Sequence, residues 1–177
     1  MQASYFWASV FNNPVISIGI ISDTHGRFLP KVKAFLSACD EIWHAGDIGS
    51  LELVDEMKKF RPLRAVYGNI DGTAVRSACP EVLLFRAEKL KVLMTHIGGY
   101  PGKYHPQSKQ IIELEKPGLF VCGHSHILKV IYDKKYSLLH INPGAAGSYG
   151  LHTSITAVRL KIEGNGMKDL EVLDISR

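Results

Sequence analysis

Cysteine is scarce in this chain of 177 residues: Cys39, Cys79 and Cys122 are odd in number and far apart, so they do not make a disulfide framework. Such a set reads as reduced thiols, and the expected setting is the cytoplasm. Long hydrophobic runs are also missing. No apolar stretch approaches the roughly 20 residues of a membrane helix, so no membrane partner is expected. Charge of one sign is nowhere concentrated; the formal net charge of +4 comes from scattered residues, with Lys58-Lys59 and Lys134-Lys135 the only lysine pairs. A nucleic-acid binder gathers positive charge on one face, so nucleic acid enters here only as a candidate substrate. Residues 1–14, MQASYFWASVFNNP, hold no Lys or Arg. A secretory leader starts with basic residues, and export is not expected. Tyr5, Phe6, Trp7 and Phe11 make this stretch an N-terminal extension expected to pack on the domain or on a partner.

What is present is a globular composition, 46% hydrophobic and 21% charged, with 16 Gly and 8 Pro. A mass of 19.6 kDa fits one domain over residues 1–177. No repeat or low-complexity linker divides it. Val15–Ser22 is rich in β-branched residues and predicts a buried strand. Leu29–Ala38 follows with helical spacing and Pro30 near its start. Glu41–Ala45 is strand-like, Leu51–Phe60 helical and Leu63–Tyr67 strand-like again. That alternation argues for a parallel sheet with helices against it. The second half predicts strands at Val82–Ala87, Lys91–Thr95, Leu119–Cys122, Leu128–Tyr132, Ser137–Ile141, Ser154–Ile162 and Leu170–Ile175, with one helix at Ser108–Leu114. Gly164-Asn165-Gly166 marks a hairpin turn between the last two strands. The expected fold class is α/β: two mixed sheets packed face to face and flanked by helices.

Polar residues follow five of the apolar runs. Ile18–Ile21 ends in Ser22-Asp23-Thr24-His25, Ile42–Ala45 in Gly46-Asp47, and Leu63–Tyr67 in Gly68-Asn69. Val92–Met94 ends in Thr95-His96, and Leu119–Cys122 in Gly123-His124-Ser125-His126. Open α/β sheets bind ligands beyond the carboxyl ends of their strands, so these clusters can meet at one edge. The donors are then Asp23, His25, Asp47, Asn69, His96, His124 and His126. Carboxylate, amide and imidazole without thiolate suit Mn²⁺, Fe, Zn²⁺ or Ni²⁺. Seven donors exceed the needs of one ion and suit two, with one carboxylate shared. Two such ions clamp the attacking and leaving oxygens of a phosphoryl displacement. Any one D-x-H is more often a turn with an exposed His; all five clusters at strand ends are hard to explain as structure alone.

The set D-x-H, G-D, G-N, H and G-H-x-H resembles the calcineurin-like metallophosphoesterase superfamily. The Ser22-Asp23-Thr24-His25-Gly26 and Ile141-Asn142-Pro143-Gly144 segments are similar to its small YfcE-like phosphodiesterase branch. The match runs from Val15 to about Ser148. It implies a four-layer α/β/β/α sandwich with two divalent ions, Mn²⁺ first among them. Asp23, His25 and His126 would bind one ion, Asn69, His96 and His124 the other, and Asp47 would bridge. A hydroxide between the ions is the implied nucleophile on a phosphate ester, and Asn69 an implied substrate contact. Many members read G-N-H-[DE], the His protonating the leaving oxygen; here the segment is Gly68-Asn69-Ile70-Asp71. The general acid is left unassigned, with a metal-bound water, substrate protonation and His44 as candidates.

His44 reads first as a packed strand residue and second as a support for a ligand. Arg27 is equally a phosphate contact and a solvated loop residue. Tyr100 and His105 lie in the Gly98–Pro106 loop, either a substrate-pocket wall or an irregular connection. His140 and His152 are expected to be structural, and Cys122 a buried thiol. The leading function is a metal-dependent phosphodiesterase. A phosphomonoesterase on the same site and a Vps29-like non-catalytic interaction scaffold are the alternatives, and a homo-oligomer is compatible with either.

Overall fold

Val15–Ile21, broken only by Ser17 and Gly19 in a run of Val and Ile, forms β1 in the computed structural model, which describes residues 14–177. The aromatic extension lies outside the described residues. The chain continues through α1 (Pro30–Leu36), β2 (Glu41–Ala45), α2 (Leu51–Phe60), β3 (Leu63–Val66) and α3 (Thr73–Ala78). Pro30 opens α1, where a missing N–H costs nothing, and the Ser50 side chain caps α2 by accepting from the Leu53 N–H at 3.3 Å. β1, β2 and β3 pair in parallel, as the alternation predicts, with Ile18 opposite Glu41 and Ile42 opposite Leu63.

The second half holds β4 (Val82–Ala87), β5 (Leu90–Thr95), β6 (Gly99–Tyr100), β7 (Lys103–Tyr104), α4 (Pro106–Glu115), β8 (Leu119–Val121), β9 (Leu128–Asp133), β10 (Leu138–Pro143), β11 (Ser154–Glu163) and β12 (Gly166–Ser176). Two five-stranded sheets result, ordered β12-β11-β1-β2-β3 and β4-β5-β8-β10-β9. Their facing surfaces bury Ile18, Trp43, Met94, Val121, Ile141 and Leu160 in one layer. Trp43 meets Phe85 edge-on at 5.0 Å, and truncating such a buried aromatic costs about 3–5 kcal/mol. Val32, Leu36, Val54, Met57 and Val75 pin the first three helices to the outer face of the first sheet. Ile112 of α4 packs on Leu93, Phe120 and Leu138 outside the second. This is the expected helix–sheet–sheet–helix sandwich.

Three elements differ from the periodicity reading. α3 buries only Val75 in six residues, too little for an apolar stripe to show. The Gly98–Pro106 loop contains the β6–β7 ribbon, too short to alternate. β12 starts at Gly166 rather than Leu170, because an edge strand carries Lys168 and Asp169 without cost. The hairpin turn stands as predicted, with Glu163 paired to Gly166 and Gly164 at φ +59°. β5 and β8 also run parallel to each other, so the exits of five parallel strands share one edge of the sandwich.

Candidate metal centre

The strand exits are conformationally strained. Nine non-glycine residues among those described have positive φ, and five are expected ligands: Asp23 (56°), His25 (48°), Asp47 (55°), His124 (69°) and His126 (57°). Each left-handed L-residue costs roughly 1–2 kcal/mol and persists only where its surroundings enforce it. Here they do. The Asp23 N–H donates to Gly46 O (3.0 Å), His25 N–H to Asp47 O (3.1 Å) and Gly26 N–H to Ile48 O (2.7 Å), strapping the β1 exit to the β2 exit. Gly147 N–H donates to Asp23 O at 3.1 Å from the other side. Gly46 must be glycine twice over, since its φ is +92° and a Cβ would strike the His96 ring. A Cβ on Gly68 would fall on the Asp47 carboxylate.

The side chains form two overlapping clusters, Asp23–His25–His126 and Asp23–Asp47–His96, each with one ligand atom per residue and those atoms within 4.8 Å of one another. In the first, Nε2 of His25 and of His126 are 3.4 Å apart. Asp23 Oδ1 lies 3.2 Å from His126 Nε2 but off the line of a hydrogen bond, so this fully buried oxygen has no hydrogen-bond partner. A carboxylate oxygen buried without a donor is expensive unless a cation meets it. The donor set and this orphaned oxygen fit a divalent ion. In the second cluster His96 Nδ1–H donates to Ala45 O at 2.7 Å, which aims Nε2 at Asp47 Oδ1 (3.2 Å) and Asn69 Oδ1 (3.1 Å). The His124 ring lies 5.2 Å from that of His96, and its backbone N–H donates to Asp23 Oδ2 at 3.1 Å.

Charge follows the same geometry. Burial and Asp47 pull His96 in opposite directions, and the neighbouring carboxylates win, raising its pKa. Asp47 is lowered, burial being outweighed by His96 and the Ile70 N–H. The adjacent Asp23 carboxylate pushes His126 up, whereas desolvation pulls His25 down. All seven expected donors are therefore brought to one edge. Asp23, not Asp47, is the carboxylate common to both clusters.

Supporting residues surround these donors. His44 is fully buried: its Nδ1 accepts from Gly46 N–H (3.1 Å), so Nε2 carries the proton and donates to Thr24 Oγ1 (2.8 Å), which donates to Ile48 O (3.1 Å). Burial pulls its pKa to about 4. Held neutral with both nitrogens engaged, His44 has no face toward a leaving oxygen; it positions the turn between Asp23 and His25. Asp71, which the sequence left without a role, accepts from Ile48 (3.1 Å), Gly49 (2.7 Å) and Gly68 (2.8 Å) N–H groups. Arg76 Nη2 donates to the carbonyl oxygen of Asn69 at 3.1 Å, and Asn142 Nδ2 to Gly123 O at 2.7 Å. Arg27 is exposed and donates to Ser148 Oγ at 3.4 Å. His152 donates to Gly147 O (3.0 Å) with its ring 5.1 Å from that of His126. His140 is buried between Tyr104 and Phe120. The three cysteines are buried and unpaired, and burial pushes the Cys122 thiol up to about 12.

A two-sheet sandwich with carboxylates and imidazoles at the exits of its parallel strands defines a metallophosphoesterase fold. The family model for the calcineurin-like phosphoesterase superfamily domain matches residues 16–165, and the chain belongs to that superfamily. A probable metallophosphoesterase of Methanothermobacter thermautotrophicus is 29% identical over 164 residues, covering 88% of this chain and 91% of its own. Among solved structures, vacuolar protein sorting 29 (Vps29) of Cryptosporidium parvum superposes with TM-score 0.71 at 18% identity, covering 92% of this chain and 99% of that one. A Streptococcus pneumoniae protein described as a predicted phosphoesterase gives TM-score 0.67 at 20% identity, covering 91% and 90%. The family supports hydrolysis of phosphoester bonds with divalent metal.

Proposed function

We propose that this chain is a phosphodiesterase working with two divalent ions. Asp23, His25 and His126 would hold one, and Asn69, His96 and His124 the other, with Asp47 shared between them. The observation that carries this reading is the pair of clusters overlapping at Asp23, whose buried Oδ1 has no hydrogen-bond donor. When bound, two such ions bring the pKa of a water toward about 7 and neutralise charge on the phosphoryl oxygens. The protein supplies the rest. The straps between the β1 and β2 exits fix the spacing of Asp23, His25 and Asp47. Ala45 O and Asn142 orient His96 and the Gly123–His126 turn. Asn69 would also contact a phosphate oxygen of the ester. Mn²⁺ is the first choice of ion, with Zn²⁺, Fe and Ni²⁺ also matching the donors. In the same reading the chain is one domain, works in the cytoplasm and keeps its thiols reduced.

A second reading, a non-catalytic interaction scaffold, is favoured by the Vps29 likeness and by Ile70 in place of an imidazole. A scaffold has no chemical need for seven converging donors, five of them held in strained turns. Metal analysis of the purified protein, with turnover on a panel of phosphomonoesters and phosphodiesters, decides. Two ions per chain and faster diester hydrolysis are expected. No metal and no turnover would leave the scaffold; monoester preference would keep the centre and change the substrate.

A further inference from the structure

A concave cleft of about 680 Å³ opens beside the metal centre, with His124 and Ser125 in its wall. It extends over the β6–β7 ribbon, and its size suits a small organic ligand rather than a lone phosphate. Ile97 (40% exposed), Tyr100 (41%) and Ile127 (57%) are large apolar side chains left open around it. Two ammonium groups, Lys103 and Lys129, line the same cleft, and no carboxylate does. Lys129 Nζ sits 3.9 Å from the Tyr100 ring centroid, holding aromatic face and positive charge together. The cleft at Asn69 and His96 is smaller, 210 Å³, and sets the Glu81 carboxylate against the Arg76 guanidinium, so its wall has none of the unopposed positive charge of the larger one.

Resting on the phosphodiesterase reading, we propose that the 680 Å³ cleft seats the nucleoside arm of a nucleotide diester that carries a second phosphate. The base stacks on Tyr100 with Ile97 and Ile127 as apolar walls, while Lys129 and Lys103 meet the second phosphate. Stacking on an aromatic side chain favours a nucleobase over an alkyl group, because every base has a π-face. The cleft is thus a specificity device for the bound arm, meeting the proposed metal donors only at His124.

Three p-nitrophenyl diesters test this: the methyl ester, the ester of thymidine 5′-phosphate, and the latter with an added 3′-phosphate. Each step up the series should raise kcat/KM, by about tenfold for the base. Tyr100→Ala should bring the thymidine-to-methyl ratio toward one, and Lys129→Gln the 3′-phosphorylated-to-plain ratio. Calorimetry of thymidine 3′,5′-bisphosphate with metal-free protein gives a readout without turnover, and both variants should weaken that binding. Equal kcat/KM for all three esters, or bisphosphate binding indifferent to both variants, overturns the proposal. If none of the esters is cleaved, the phosphodiesterase reading fails by itself, and the bisphosphate titration still decides what the cleft binds.

Discussion

The backbone N–H of Ile70 donates to Asp47 Oδ1 at 3.1 Å, while the Ile70 side chain is apolar and half exposed. The position thus serves the centre through its main chain even though its side chain can donate no proton. The next residue completes the tie: Asp71 gathers three N–H groups from the β2 and β3 exits. Asp71→Ala should leave those buried donors unmet, at about 1–3 kcal/mol each before relaxation. We expect a loss of several kcal/mol by denaturant unfolding and weaker metal binding by titration. Wild-type values for both would show that the exits hold their geometry without the clamp.

Metal content separates the proposed bridge from the terminal ligands. Asp23 is common to both clusters, and Asp47 is the proposed bridge between the ions. Asp47→Ala should lose both ions and more turnover than Asp23→Ala or His126→Ala, each of which should lose one. The check is bound metal per chain by elemental analysis beside turnover on one diester. Full occupancy with unchanged turnover in Asp47→Ala would exclude the proposed centre.

The sequence disclosed most of this fold where burial is one-sided. β2, α2 and β4 begin and end where their apolar patterns do. It was silent where burial is slight, at α3 with only Val75 inside, and along β12 with its charged edge. The candidate donors stand out in the sequence because strand ends are local features. The supports do not, because they join distant residues: His44 reaches back to Thr24, and Asp71 to Ile48 and Gly49. Asp71 did carry a signal, standing directly after Gly68-Asn69-Ile70. The left-handed turns at Asp23, His25 and His126 carried none, since non-glycine residues there break local preference.

Acid should destabilise the fold through His140. Its ring lies 5.6 Å from Phe120, both nitrogens lack partners, and burial, with Lys129 nearby, pulls its pKa from 6.5 to about 4. Between those values the unfolded chain takes up a proton that the folded chain refuses. Its contribution is therefore complete above pH 6.5 and lost as the pH falls toward about 4. A shift of that size corresponds to about 3 kcal/mol. His44 adds a slope of the same sign. His140→Phe should flatten, without abolishing, the fall of Tm across this window; a slope parallel to wild type would refute the assignment.

Leaving-group chemistry follows from Ile70. With no imidazole there and His44 sealed inside, the leaving oxygen departs with little protonation from the protein. A positioned general acid contributes about 10²–10⁴-fold, and each 1.36 kcal/mol of barrier is about tenfold in rate. The rate should therefore fall steeply as leaving-group pKa rises across a series of aryl and alkyl diesters. Ile70→His should flatten that dependence, because the new ring extends from a backbone already fixed to Asp47 at 3.1 Å. Esters with very acidic leaving groups need no proton and should respond little to the substitution, which separates acid catalysis from a general gain in binding. A wild-type rate nearly independent of leaving-group pKa, with chemistry shown to be rate-limiting, would mean that another acid is in place. His105, exposed in the wall shared by the two clefts, is the first imidazole to remove in that case.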